Sequence, residues 1–323
     1  MTPNAAIDVL DERDQRLVAA LQCDGRLTAE RAGDVLGMSP RTVHRRWRAL
    51  LADGVCRVVA LPPRPDAIGA LLLRIRVLGG KVDALTAALA ARPDVPFVDL
   101  SASGDEILAV SWTRPGTRDH LVFRELPATR AVTSVTADTI LHVFVEASDW
   151  RHQVLSDAER AALTPATTLV PGDTDEVDRA VLAALEEDAR MPAAAVAAHT
   201  GHPDSTVRRR IARLARTGRL LTHVVVDPKR LGLAIDANVM ARVAPGRLDA
   251  VGRALARHPA VHGAFATTGA YNLHTAVWVR DLTDLYRFIT RDLGGLGVDG
   301  AETVIVGQAV KRPGRTGRPR PRP

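Results

Sequence analysis

Aromatic side chains are scarce in this 323-residue chain: Phe, Trp and Tyr together make up 3%. Its cores must therefore be built from Leu, Val, Ala and Ile. Lysine is nearly absent, occurring only at 81, 229 and 311. The net charge of +6 is thus carried by arginine, whose planar fork suits bidentate contact with guanine and phosphate. Only two cysteines occur, Cys23 and Cys56, without the paired spacing of a metal site, and both are expected to stay reduced. No run of 18 uncharged apolar residues exists, which excludes a membrane-spanning helix, and Met1 to Leu10 lacks the basic start and apolar stretch of a signal peptide. A cytoplasmic protein without metal, cofactor or membrane partner is expected. No paired acids, nucleophile-base constellation or Gly-rich phosphate loop stands out, so no enzymatic activity is expected either.

What is present is organised around residues 39–54, Ser-Pro-Arg-Thr-Val-His-Arg-Arg-Trp-Arg-Ala-Leu-Leu-Ala-Asp-Gly. Ser39 suits an N-cap, Pro40 the first helical position and Gly54 the stop. At about 100° per residue, Val43, Trp47, Leu50 and Leu51 share one face, Arg41, Arg45 and Arg48 the opposite one, with His44 and Arg46 on the flanks. Such a helix fits a DNA major groove, with its outer face towards bases and its flanks towards phosphates. An ungapped echo lies 164 residues downstream, where Val207, Ile211, Leu214 and Gly218 stand in register with Val43, Trp47, Leu50 and Gly54. Arg209 and Arg210 match Arg45 and Arg46. The register extends upstream, pairing Asp14 with Asp178, Leu21 with Leu185, Arg26 with Arg190 and Gly37 with Gly201.

Helices are predicted over Asp11–Gln22 and from Thr28, as cap, to Gly37; with the helix opening at Ser39 they make a helix-turn-helix, followed by a strand or wing at Cys56–Leu61. After Pro62–Pro65 the pattern changes to strand Leu71–Val77, helix Lys81–Ala91, strands Phe97–Ala102 and Ile107–Trp112, helix Thr117–Leu126 and strand Val132–Val145. This βαββαβ order is that of a ferredoxin-like module. Ser148–Asp173 reads as a connector with one short helix, for which Ser156 and Glu159 have capping-box spacing. A second three-helix unit with strand Leu220–Val226 follows. A second βαββαβ set runs through Leu233–Val243, Arg247–Arg257, Val261–Thr267, Leu273–Val279, Leu282–Leu293 and Ala301–Val310. Gly80, Asp83, Leu89 and Pro93 reappear as Gly246, Asp249, Leu255 and Pro259. The fold class is therefore α+β, two winged helix-turn-helix domains (1–61 and 174–227) alternating with two ferredoxin-like modules (66–146 and 232–311). The connector spans 147–173, and 312–323 is a disordered basic tail suited to phosphate contact.

Gly25-Arg-Leu-Thr-Ala-Glu and Leu36-Gly-Met-Ser-Pro-Arg-Thr-Val-His-Arg-Arg-Trp resemble the DNA-binding domain of the Lrp/AsnC transcriptional regulators. Gly297-Val-Asp-Gly-Ala-Glu-Thr-Val-Ile-Val resembles the last strand of that family's effector-binding domain, and Thr267-Thr-Gly-Ala-Tyr-Asn-Leu273 its Gly-x-Tyr-Asp loop. The resemblance covers nearly all of residues 10–311, once per half. It implies a fused pair of subunits, a dimer or tetramer of the chain, double-stranded DNA as partner and an amino acid or other small molecule as effector. The DNA-contacting candidates are Ser39, Arg41, Thr42, His44, Arg45, Arg46 and Arg48 in the first half. In the second they are Ser205, Thr206, Arg208, Arg209, Arg210 and Arg213. Arg45 and Arg209 are expected on bases, Arg46 and Arg210 on phosphates. Arg41 is matched by Ser205, His44 by Arg208, Arg48 by Ala212 and Ala49 by Arg213, so an asymmetric operator is expected. The effector candidates are Gly104, Gly269, Tyr271, Asn272 and Thr303. Asn272 stands where the family has Asp, and the first copy's Ser103-Gly-Asp-Glu-Ile107 lacks the Tyr.

Two other readings remain. A branch resembling these regulators, the siroheme decarboxylases, binds a tetrapyrrole, for which His258, His262, His274 and Arg257 could supply cations and a proton donor. A nucleoid-organising protein would instead bind DNA with little sequence preference.

Overall fold

The computed structural model describes residues 8–61, 67–78, 80–113, 121–167 and 174–312. In chain order they form α1 (Glu12–Cys23), α2 (Ala29–Leu36), α3 (Pro40–Ala52), β1 (Cys56–Leu61), β2 (Leu71–Val77), α4 (Val82–Ala91), β3 (Phe97–Ser101) and β4 (Glu106–Ser111). Next come α5 (Leu126–Ala128), β5 (Val132–Val145), α6 (Asp157–Leu163), α7 (Glu176–Leu185), α8 (Ala193–Thr200), α9 (Asp204–Arg216) and β6 (Leu221–Val226). The chain closes with β7 (Ile235–Arg242), α10 (Leu248–Ala256), β8 (Val261–Thr267), β9 (Leu273–Val279), α11 (Leu282–Arg287) and β10 (Gly300–Lys311). Like joins like: α1–β1 and α6–β6 make one compact unit, and β2–β5 with β7–β10 make another.

In the first unit each copy packs three helices around its apolar stripe. Leu17, Leu21, Val43, Trp47 and Leu50 are buried in one copy, and Val181, Leu185, Val207, Ile211 and Leu214 in the other. Gly37 and Gly201 adopt φ of 67° and 73°, the left-handed stop that turns the chain into each third helix. The expected connector does not hang free over its described part. Its helix α6 starts with a Ser156/Glu159 capping box, Glu159 pairs with Arg16 on α1, and Arg31 on α2 donates to the Ala162 carbonyl at 2.9 Å.

Each wing is a single strand, and the two pair with each other. β1 and β6 run antiparallel with Val59 opposite His223, two residues that the 164-residue repeat superposes. A local two-fold therefore passes through that pair and relates the two three-helix domains.

The second unit is a closed barrel, in order β10-β3-β4-β2-β5-β8-β9-β7. Each module contributes four strands in ferredoxin-like order. Its long last strand first pairs with its own first strand and then crosses to the other module: β5 reaches β8 from Ile140, and β10 reaches β3 from Val306. Strand alternation gives each sheet one face towards helices and one towards the lumen. In the second module Ala237, Val239 and Ala241 face a core with Val251, Leu255, Leu285 and Phe288; in the first, Leu73 and Ile75 meet Leu89, Leu121 and Leu126.

The helices predicted over Thr117–Leu126 and Leu282–Leu293 come out differently. Residues 114–120 lie outside the described set, and Leu121–Glu125 forms a wide π-type turn leading into α5. α11 stops at Arg287 and widens into a π-type turn over Phe288–Leu293, which places Phe288 and Leu293 in the core. The predicted basic tail lies outside the described residues beyond Arg312. No described helix is long and apolar enough to cross a membrane. Cys23 and Cys56 are unbonded, and burial pushes the Cys56 thiol up to about 12.

Candidate nucleic-acid interface

The reading helix α3 begins as its sequence requires. The Ser39 hydroxyl accepts from the Thr42 amide at 3.2 Å and bonds the Thr42 hydroxyl at 2.8 Å. The buried Trp47 indole donates to the Leu17 carbonyl at 3.2 Å, fixing α3 against α1. With that face anchored, Arg41, His44, Arg45 and Arg48 are exposed on the other side. Of the candidates in α9, Ser205, Arg208 and Arg209 are exposed, with Arg208 tied to Asp204 at 2.7 Å.

Three arginines expected on DNA are engaged within the protein. Arg46 pairs with Asp11 at 2.9 Å and Asp14 at 2.8 Å. Arg210 makes the twin contact with Asp175 at 2.7 Å and Asp178 at 3.3 Å. Arg213 also reaches Asp178, whose side chain is fully buried. The cause lies at the starts of α1 and α7, where Asp11 and Asp175 are N-caps and further acids occupy the first turn. Carboxylates belong at that positive helix end, and an arginine 32 residues on completes the pair. The Asp-x-x-Asp echo at 11–14 and 175–178 was a sequence signal for this role. The side chains that fix a reading helix to its domain are thus distinct from those its outer face presents.

The effector candidates fall in three places. Gly104, with φ of 77°, turns the β3–β4 loop, while Gly269, Tyr271 and Asn272 share the β8–β9 loop. Thr303 lies on β10 opposite Val239, a residue of the helix-side core. Asn272 accepts from the Val243 amide at 2.9 Å and donates to the Val243 carbonyl at 2.8 Å, so both ends of its side chain fasten the loop to the end of β7. Gly269, with φ of 92°, sits so close to Asp138 that a Cβ would strike its carboxylate. Tyr271 packs with Leu108, Met240 and Val304.

The lumen carries charge. Arg74 chelates Glu302 with bonds of 2.8 and 2.6 Å and donates to Glu106 at 2.6 Å. Arg312 bridges Asp99 and Asp236, and burial holds the Asp99 carboxyl above the usual range despite that partner. His262 stacks on Trp278 and His274 bonds Asn238 at 3.1 Å; burial pushes both imidazoles down, His274 to about 4. His258 is elsewhere, edge-on to Phe288 and 3.3 Å from Asp292. The three histidines do not assemble one site, and no group of three metal-binding side chains occurs among the described residues.

The family model for the AsnC-type helix-turn-helix domain matches residues 10–51 and again 175–215, and that for the Lrp/AsnC ligand binding domain matches 236–316. An uncharacterized HTH-type transcriptional regulator of Pyrococcus horikoshii is 33% identical over 141 residues, covering 43% of this chain and 89% of the relative. The chain belongs to the Lrp/AsnC family. The regulator AldR of Mycobacterium tuberculosis is 30% identical over 141 residues, 42% of this chain and 79% of its own length. Each relative thus spans about one half of a chain that contains two readers. Lrp/AsnC proteins are DNA-binding transcriptional regulators with a domain for a small-molecule effector, and this chain is one of them. Among solved structures, the siroheme decarboxylase NirDL matches 94% of this chain and 93% of its own at a TM-score of 0.56 and 14% identity. That likeness concerns the fold: the duplicated arrangement exists in another whole chain.

Proposed function

We propose that this chain is a fused pair of Lrp/AsnC subunits that binds one double-stranded operator with both readers, on two unlike half-sites about one helical turn, roughly 34–36 Å, or a multiple apart. The observation that carries this is the β1–β6 ribbon, whose symmetric register holds two reading helices in one unit. Arg41, Arg45 and Arg48 in α3, and Ser205, Thr206, Arg208 and Arg209 in α9, are the proposed base-reading surface, with Ser39, Thr42 and His44 at its margin. Arg46, Arg210 and Arg213 act through the pose of the helix.

A small effector belongs to the second module, where the ligand-binding family model matches. Tyr271 and the Gly269 turn border the proposed site, and Asn272 sets the loop. Assembly into dimers or tetramers of the chain would use surfaces other than barrel strand edges, since all eight barrel strands are paired on both sides.

Selection of bound sequences from random duplex DNA by the full chain tests this. Enrichment of a site with two unlike halves supports the fused regulator. Binding without enrichment, steeply weakened by salt, would instead mean a phosphate-driven nucleoid role.

A further inference from the structure

The turn before α2, Asp24-Gly25-Arg26, has its twin in Asp188-Ala189-Arg190. Each turn is pinned locally: the Arg26 amide donates to Asp24 at 2.8 Å and the Arg190 amide to Asp188 at 2.8 Å. So held, each arginine crosses the local two-fold. Arg190 donates to the carbonyls of Gly25 at 2.8 Å and Leu27 at 3.1 Å, which flank Arg26. Arg26 donates to the carbonyls of Ala189 and Met191, which flank Arg190. The ribbon joins the same exchange, with the Ala189 amide donating to Val58 at 2.7 Å and the Gly25 amide to the Thr222 hydroxyl at 3.2 Å, Thr222 being the twin of Val58.

We infer that Arg26 and Arg190 form a reciprocal lock that fixes the distance and phase between the two readers, making half-site spacing a specificity determinant of this chain. A guanidinium can grip two carbonyls in one plane, and charge-assisted bonds in a half-buried setting are strong and little screened. The carbonyls gripped belong to the turns that launch α2 and α8, each joined to its reading helix by a tight glycine turn. The coupling also reaches α3 directly, because the Arg190 guanidinium lies over the Trp47 ring, 4.9 Å from its centroid. Ile211 stands at the corresponding place in α9, so the first reader is held more firmly. These are positioning residues: neither lies on a base-reading face.

The inference rests on the two-half-site reading above, and its test separates the two. The selected operator is compared with versions carrying 1, 2 or 5 extra base pairs between the halves, and with one half scrambled. For wild type, 5 extra pairs turn the halves to opposite faces and should lose about 10²-fold in affinity, the low end of what linked binding confers. The scrambled operator should lose the same. In R26M/R190M, which keeps the apolar stems, affinity at the native spacing should fall towards the single-half level. The spread across insertions should shrink to within about 3-fold, with binding to the isolated half read by α9, which has no such ring contact, unchanged. If the double variant does not fold, R26M, which leaves the Trp47 stack in place, carries the same expectation in weaker form. A folded variant with the wild-type spacing profile overturns the lock. Failure of wild type to select any two-part site overturns the reading beneath it.

Discussion

In the reading unit, the main hydrogen-bonded contacts across the local two-fold come in pairs. Arg26 and Arg190 exchange carbonyls, and within the two domains Arg46 and Arg210 repeat the same bond to the start of the first helix. In the barrel the ionic contacts stand alone. Arg74 of the first module chelates Glu302 of the second, yet the counterparts of these residues are Met240 and Thr136. Asp99 and Asp236 flank Arg312 at one place, while their counterparts Phe265 and Ala70 belong to an apolar cluster with Trp112. A true dimer must be self-complementary, so every residue at its interface serves twice. Fusion lifts that demand, and the barrel has used the freedom to fill equivalent spaces with an ion network in one and hydrocarbon in the other. The reading unit has kept the paired exchange at its two-fold, in the β1–β6 ribbon and the Arg26 and Arg190 contacts, and its one-sided contacts, such as Arg190 over Trp47, lie outside that exchange.

The sharpest break of this comparison replaces a one-sided residue by its own counterpart. Arg74→Met puts into the first module what the second already has, and leaves the buried Glu106 and the half-buried Glu302 without their cation. Removing one partner of a buried pair costs about 3–5 kcal/mol, so unfolding of the barrel in urea should shift by that order. A change below about 1 kcal/mol would mean that the network is ornamental and that the asymmetry carries no energy.

Acid should find the same asymmetry. His274 takes up a proton only near pH 4 when folded and near 6.5 when unfolded, because burial opposes its charge. Between those values the unfolded chain holds more protons, so stability is complete above pH 6.5 and declines as pH falls towards 4. The most this histidine can remove is about 3 kcal/mol. Its counterpart is Leu108, and that of its partner Asn238 is Leu72. His274→Leu combined with Asn238→Leu copies the first module into the second and leaves no unpaired amide behind. Chemical denaturation at pH 7 and 4.5 should show a smaller acid loss in this variant than in wild type; an equal loss would place the sensitivity elsewhere.

Most strands were legible because alternating residues face two different environments. Leu71–Val77, Val132–Val145, Val261–Thr267 and Leu273–Val279 have the bounds their periodicity predicts. The caps at Ser39 and Thr28 and the capping box at Ser156 are local chemistry, and they form as written. Partners distant in sequence were not legible. Nothing in Cys56–Leu61 says that it will pair with β6, since a lone strand's pattern names a buried face and no neighbour. The register placed Arg26 opposite Arg190 without showing that each crosses to the other's turn. At the interface, Arg46, Arg210 and Arg213, expected on DNA, satisfy the first-helix acids, a long-range pairing that helical periodicity does not reveal. Asn272 fastens its own loop, a role invisible until Val243 is beside it.

The outer faces give a third test. Arg45 and Arg209 are twins exposed on helices that otherwise differ, so Arg45→Ala and Arg209→Ala should each relax specificity at one base position in different half-sites. Each loss should be about 1–3 kcal/mol against the wrong base, with binding to random duplex little changed. Binding measured on operators with single-base changes in each half checks this. Equal losses on specific and random DNA would make both residues phosphate contacts and return the asymmetry to the rest of the helix.

The smallest effect concerns how the two reading helices start. Ser39 caps α3 with its hydroxyl, whereas α9 is preceded by Pro203, which makes no side-chain cap bond. Ser39→Ala removes the acceptor for the Thr42 amide and should cost about 1 kcal/mol. The reverse change is not its mirror. Pro203→Ser supplies a cap of about the same strength, but it frees the unfolded chain that proline restrains, a loss of about 0.4–1 kcal/mol. The two terms nearly cancel, so α9 should gain far less than α3 loses. Thermal unfolding of the two single variants settles it: a full kcal/mol gained at 203 would show that α9 lacked only its cap, and no change there would show that proline already prepares that helix by the entropic route.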